Sequence, residues 1–285
     1  MNRKKNIFTK DGKSLVSKVK FSGNLEKDIE KAVSMIGGFK RLIKKGDSVL
    51  LKPNYVYDAD YPATTAPDFL KATIKAIQRY RPSRIIIGES SVYWQNTRKI
   101  MTARGAFQIA EETGAEVHIF DDNEWVKRDI PHAKYKTVTR TPKILDEVDR
   151  LIFLPCLKTH RLARYTASLK LSVGCTNKIE RVSHFFNLEP KIAEIASMVW
   201  PDLCIMDARK IFVTGGPDEG DIASPNLILA SGDRIALDVE GIKIIQHYRA
   251  QNLLTMAPWE LPTIKRAIEL GIGSKSEQDY KVIDK

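Results

Sequence analysis

Apolar residues in this chain fall into two alternating patterns, and the alternation predicts the fold. In the segment 24–43, Leu25, Ile29, Val33, Ile36 and Phe39 recur at helical intervals, and Gly46-Asp47 then precedes the apolar run of SVLLKPN. Helix, turn and buried strand are expected there. The pattern repeats: Thr64 or Thr65 is placed to cap a helix through APDFLKATIKAIQRY, Pro82 ends it, and RIIIGES is a second buried strand. A third round sets a helix over TRKIMTARGAFQIAEETG and a strand over EVHIF. Short apolar strands alternating with longer helices imply parallel pairing through right-handed crossovers.

The middle of the chain is less regular. YKTVTR reads as a more exposed strand, TPKILDEV as a short helix and RLIFLP as another buried strand. Beyond it, LCIMD and NLILAS read as core strands, GDRIALDVEGIKIIQHYRA as an amphipathic helix starting near Asp233, and ELPTIKRAIELGIG as a closing helix stopped by Gly271. The pattern predicts an α/β protein with a mostly parallel sheet and helices on both faces. Residues 1–24 read as a basic amino-terminal arm and 25–285 as one α/β domain, with room for a small second lobe inserted at about 125–200.

Charge sharpens this picture. The net charge is +11 over 285 residues, and residues 1–24 carry seven Lys or Arg against one Asp. The stretch 150–179, RLIFLPCLKTHRLARYTASLKLSVGCTNKI, adds six Lys or Arg and no carboxylate. Such a cluster beside a core strand is costly unless something anionic compensates it, and a phosphate or carboxylate ligand is the natural complement. The remainder is close to neutral, so the body is not a generally basic surface. Three cysteines without a CxxC fit neither a disulfide framework nor an iron–sulfur run. The amino terminus lacks a secretory apolar core, and no apolar run is long enough to span a bilayer. A cytoplasmic protein with no membrane partner is expected.

Ligands of open parallel sheets bind beyond the carboxyl ends of the strands. The polar residues predicted there are Lys52 and Asn54, Glu89 with Ser90 and Ser91, Lys158, Thr159 and His160, and Asp207. Each alone could merely cap a turn; together they mark one edge. In an extended KTH segment Lys158 and His160 face the same side, where an ammonium and an imidazole would bracket an anion and His160 could move a proton near neutral pH. Lys170, in the apolar stretch ARYTASLKLSVG read as helical, would lose basicity there and become a proton carrier or nucleophile. Gly215 and Gly216 in VTGGPDEGD allow either a phosphate cradle or a tight turn. His160, His184, Cys175 and Asp207 lie at no metal-ligand spacing, so no metal site is expected. Cys175 is either a thiolate favoured by nearby lysines or a small core residue.

Taken in order, LLKPN, TTAPDFLKA, IIIGES, FLPCLKTH, TASLKLSVG, the following His184, and TGGPDEG with LASGDRIALD resemble the domain-of-unknown-function 362 family over most of residues 48–272. The resemblance implies little about activity. Some members of that family carry a ferredoxin-like module, which has no counterpart in the cysteines here. The family is also distantly similar, at the level of fold, to the amino-terminal part of nickel-pincer lactate racemase. Where members commonly read LKN, this chain has Leu169-Lys170-Leu171, so an amide is missing.

The leading expectation is an enzyme acting by proton transfer, as a racemase or isomerase would, on a small carboxylated or phosphorylated substrate. Lys52, Asn54, Lys158, Thr159, Gly215 and Gly216 would bind the anion, His160, Lys170 and Glu89 would act on it, and His184, Asp207 and Cys175 would support them. Its cofactor is unspecified. A nucleic-acid-binding protein, suggested by residues 1–24 and by Tyr165 among arginines, is the alternative, and a redox partner holding a metal or cluster is a third.

Overall fold

The structure is a computed structural model that describes residues 5–181 and 186–284. Among the described residues the parallel part of a large sheet runs in the order Leu203–Phe212, Arg150–Phe153, Ser48–Lys52, Arg84–Glu89, Glu116–Ile119, and Cys156–His160 also pairs parallel with Leu203–Phe212. Their order follows from the repeating strand and helix pattern, with the last three strands laid down successively outward. Next to Leu203–Phe212 the sheet turns antiparallel through Leu227–Ser231 and then Lys13–Lys20. Tyr280–Asp284 closes that side, parallel to Lys13–Lys20. The result is a mostly parallel mixed sheet.

Alternating side chains divide each strand between two cores, as period-two geometry requires. Leu50, Ile86, Leu151, Phe153, Cys204 and Met206 face one core. Val49, Leu51, Ile85, Ile87, Ile152, Leu203 and Ile205 face the other. The helices Leu25–Met35, Pro67–Gln78, Thr97–Ala103 and Ala106–Thr113 cover the second face. Leu188–Ala196, Arg234–His247 and Pro262–Glu269 cover the first. A separate antiparallel hairpin, Trp125–Asp129 with Val138–Pro142, lies within the region read as a second lobe, whereas residues 150–160 belong to the main sheet.

Several local readings change. Residues 13–20, set apart with the basic arm, form an interior strand whose Val16 and Val19 are fully buried. Thr64 and Thr65 do not cap the Pro67–Gln78 helix; their hydroxyls donate to the carbonyls of Ala59 and Leu154. The helix expected over 97–114 breaks at Gly105, which has φ +75°. The Arg234–His247 helix is buried all round as far as Ile242 and is not amphipathic. Its polar positions point into the molecule: Asp233 accepts the Ala236 N–H as the cap, and Glu240 pairs with Lys18 and Tyr280.

Candidate active site

Beyond the carboxyl ends of the parallel strands lies a cavity of about 230 Å³. Asn54 enters it from the chain after Ser48–Lys52, Val92 to Trp94 from the loop after Arg84–Glu89, and Lys158 and His160 from Cys156–His160. Thr166, Lys170 and Arg181 add to its polar lining, and among the described residues no carboxylate lines it, although Asp58 and Asp218 line an adjoining depression that shares Tyr57, Trp94 and His160. The two-residue spacing of Lys158 and His160 puts both in this wall, as expected. Thr159 points away and donates to the Thr214 carbonyl at 2.7 Å.

Charge pairing separates the cations of 150–179 into two groups. Arg150 meets Asp47 at 2.8 Å, Arg161 meets Asp218 at 3.4 Å, Arg164 meets Glu189 at 3.1 Å and Lys178 meets Asp121 at 2.9 Å. The fold therefore supplies the missing carboxylates at four positions. Lys158 and Lys170 form no ion pair among the described residues, Asp218 reaching Lys158 only through the longer-range field, and both line the cavity.

Lys158 is held by carbonyls. Its Nζ donates to Ala63 O and, at 2.6 Å, to Pro217 O. Burial lowers its pKa to about 8. Lys170 has no hydrogen-bond or ion-pair partner among the described residues; burial first, then Lys158 and Arg181, lowers its pKa to about 7. The one-turn helix Ser168–Leu171 that carries it is anchored by Asp238, which accepts the backbone N–H of Ser168 at 2.8 Å and of Leu169 at 3.0 Å. Asp238, the last residue of LASGDRIALD, thus positions Lys170, a link that spacing along the chain does not reveal. Arg181 donates to the carbonyls of Ser90, Ser91, Gly174 and Thr176, and burial depresses its pKa too. A rigid planar donor on four carbonyls is fixed in place, yet its charge is not neutralised.

His160 Nδ1 accepts the N–H groups of Leu162 at 3.1 Å and Ala163 at 3.2 Å. The ring proton therefore sits on Nε2. Burial, Lys170, Lys158 and Arg161 push the imidazole far below its ordinary pKa. The expected proton mover near neutral pH is instead a fixed neutral donor.

Glu89 also changes role. It pairs with Lys52, and it accepts the Tyr55 N–H at 2.7 Å and the Ser90 N–H at 2.8 Å, with both charged side chains wholly buried. The pair lies behind Gly174, where a Cβ would stand 2.7 Å from Lys52 Nζ and 3.1 Å from Glu89 Oε1. Glu89 and Lys52 are a structural ion pair beneath the site and are not among the residues lining it. Asp207 lies outside the cavity as well, bound by the Tyr61 hydroxyl at 2.8 Å and by Arg209. The Gly216 N–H goes to Glu219 O at 2.6 Å and its carbonyl receives Arg161 N–H, so the glycine loop packs as a turn against the strand. Gly215 lines a neighbouring depression with Thr159 and Arg164. His184 lies outside the described residues. Cys175 is a core residue whose thiol burial pushes up to about 12, and Cys156 behaves alike. Among the described residues no three His, Cys, Asp or Glu side chains come together to hold a metal ion. The buried, protonated thiols do not form the donor set of a cluster.

Arg181, Thr166, Tyr57, Tyr93 and Trp94 were missed as site residues. Arg181 falls two positions beyond the basic stretch, and nothing in its spacing marks it; Tyr93 and Trp94 lie four and five positions beyond a strand end, in the loop where ligands of such sheets bind. A larger, more open depression of about 610 Å³ lies at the opposite ends of the strands. It mixes Lys5 and Lys275 with Asp202, Asp233 and Asp279, and Asp233 is already bound by Ser14 and Ser274. It lacks the charge imbalance of the smaller cavity.

The fold and site define an α/β protein with a recessed cationic cavity at its strand ends. Residues 49–243 match the domain of unknown function DUF362, and the chain belongs to that family. It is 24% identical to a thylakoid-associated protein of Synechocystis sp., over 88% of this chain and 76% of that protein. A crystal structure of a Thermotoga maritima protein superposes with a TM-score of 0.51 at 10% identity, covering 79% of this chain and 59% of the other. The lactate racemase apoprotein of Thermoanaerobacterium thermosaccharolyticum gives a TM-score of 0.43 at 13% identity, covering 80% of this chain and 56% of that one. This chain thus spans under two thirds of both solved relatives. Among the described residues no helix is long and apolar enough to cross a membrane.

Proposed function

We propose that this protein is an enzyme that binds a small organic carboxylate and moves a proton on its α carbon. The observation that carries the reading is the convergence of Lys158, Lys170 and Arg181 on one cavity whose lining, among the described residues, contains no carboxylate. Lys158 and Arg181 are buried and Lys170 partly so, and their charges cost desolvation energy that an anionic guest would offset. Lys158, two of whose three N–H groups go to carbonyls, holds the carboxylate with the third. Arg181, whose N–H groups are all taken by carbonyls, attracts it by charge, and His160 donates Nε2–H to it. Lys170, free of such partners among the described residues, takes the proton as a neutral amine. When the C–H bond breaks, its electron pair passes into the carboxylate, where the cations and the imidazole N–H stabilise the developing charge. The Lys170 ammonium then returns the proton to carbon. A base with pKa near the working pH suits this step.

The surface cations of 150–179 are individually paired, so that segment offers the nucleic-acid reading no free basic stripe. The test is solvent deuterium exchange at the α carbon of a panel of carboxylates. The wild type should incorporate deuterium into at least one of them, and Lys170→Met should not, while remaining folded. Equal exchange by the variant would remove Lys170 from the chemistry.

A further inference from the structure

The cations occupy only part of the cavity wall. The rest is hydrocarbon and aromatic: Val56, Val92, Leu171 and Val173 line it, and Tyr57, Tyr93 and Trp94 stand along one side. Trp94 is 58% exposed, Tyr93 43% and Leu162 56%. Single exposed apolar residues are ordinary on a protein surface, but a group lining one recess marks a binding surface. The rings form a connected set, with Trp94 edge-on to Tyr93 at 4.6 Å between centroids and 6.2 Å from Tyr57. The loop that bears them is held firmly. Val92 N–H donates to Val56 O at 3.2 Å, Lys178 donates to Gln95 O at 2.7 Å, and Arg181 grips the Ser91 carbonyl. The same guanidinium therefore faces the guest and fixes the aromatic side.

We infer that the ligand is an anion carrying an aromatic hydrocarbon body, its charged group among Lys158, Lys170 and Arg181 and its ring against Tyr93 and Trp94. This rests on the proposed anion site and names its substrate class. A guest the size of acetate or phosphate would meet the cations and leave the apolar wall wet. The cavity, about 230 Å³, is several times the ~30 Å³ share of one water, so room remains for a ring.

Calorimetric titration of the full chain tests this with acetate, inorganic phosphate, phenylacetate, phenyl phosphate and AMP. Burying a phenyl ring should make each phenyl compound about thirty-fold tighter than its small counterpart. Trp94→Ala, at an exposed position, should weaken phenylacetate about ten-fold and inorganic phosphate less than two-fold; Tyr93→Ala should act in the same direction. Lys170→Met should weaken all of them. Equal binding of small and phenyl anions, no discrimination by Trp94→Ala, or AMP tighter than phenyl phosphate would each overturn the substrate class while leaving the anion site standing. Failure of every anion to bind would remove the anion site itself, and the substrate class with it.

Discussion

Replacing Lys170 by methionine should make the unliganded protein more stable, which is the opposite of what removing an ordinary structural residue does. The ammonium lies beside Lys158 and Arg181 on a side chain that is only partly exposed, with no counter-charge among the described residues, and its pKa falls from 10.5 to about 7. At about 1.4 kcal/mol per unit, keeping that site in the fold at pH 6 costs on the order of 5 kcal/mol relative to a lysine in water. Methionine fills a similar volume without charge, so a gain of roughly 2–4 kcal/mol is expected, or a rise in Tm of about 5–10 °C. The sign of the pH dependence follows from the depressed pKa. Between about 7 and 10.5 the unfolded chain holds the extra proton, so wild-type stability climbs with pH there, by up to ~1.4 kcal/mol per unit. The variant lacks this contribution. Urea unfolding at pH 6, 7, 8.5 and 10 should show the two proteins converging as pH rises. A destabilised variant, or parallel profiles, would refute the idea of an uncompensated, partly buried cation.

Other outcomes follow from the same geometry. Glu89→Gln leaves Lys52 buried without its partner and should cost about 3–5 kcal/mol in urea unfolding; near wild-type stability with lost turnover would return Glu89 to the chemistry. Affinity for a carboxylate should be greatest below pH 7 and fall as pH rises through about 7 and about 8, where Lys170 and Lys158 lose their protons. Calorimetry across pH 6–9 checks this, and a flat profile would contradict it. Gly216 sits at φ +74°, and a Cβ there would lie 1.9 Å from Thr159 O. Gly216→Ala should therefore push the loop off the strand, lowering stability by about 1–3 kcal/mol and weakening anion binding; unchanged unfolding and binding would show that the close packing is dispensable.

Much of the sheet was legible because strands buried on both faces are unbroken apolar runs, as in LLK, RIIIGE and RLIF. Lys13–Lys20 was not, since its lysines made the segment look like a solvated tail although its valines face the two cores. The candidate site was half legible. Lys158 and His160 share a face by the period of a strand, and Lys170 stands out in apolar surroundings, so both signals are local. The roles of Glu89 and Asp207 depend on Lys52, Arg209 and Tyr61, whose approach is set by tertiary packing alone. Spacing likewise cannot say that four cations of 150–179 would find carboxylates elsewhere in the chain and two would not. His160 illustrates the same limit: its sequence suggests a titrating imidazole, and only burial among cations makes it a neutral donor.

The account stands most directly on an anion lying among Lys158, Lys170 and Arg181. Anomalous diffraction from bromide-soaked crystals at pH 6 would locate such a guest. A strong peak within hydrogen-bonding reach of Lys158 and Lys170, lost in Lys170→Met, is the predicted result. Bromide found on surface lysines and arginines, with none in the cavity, would contradict it.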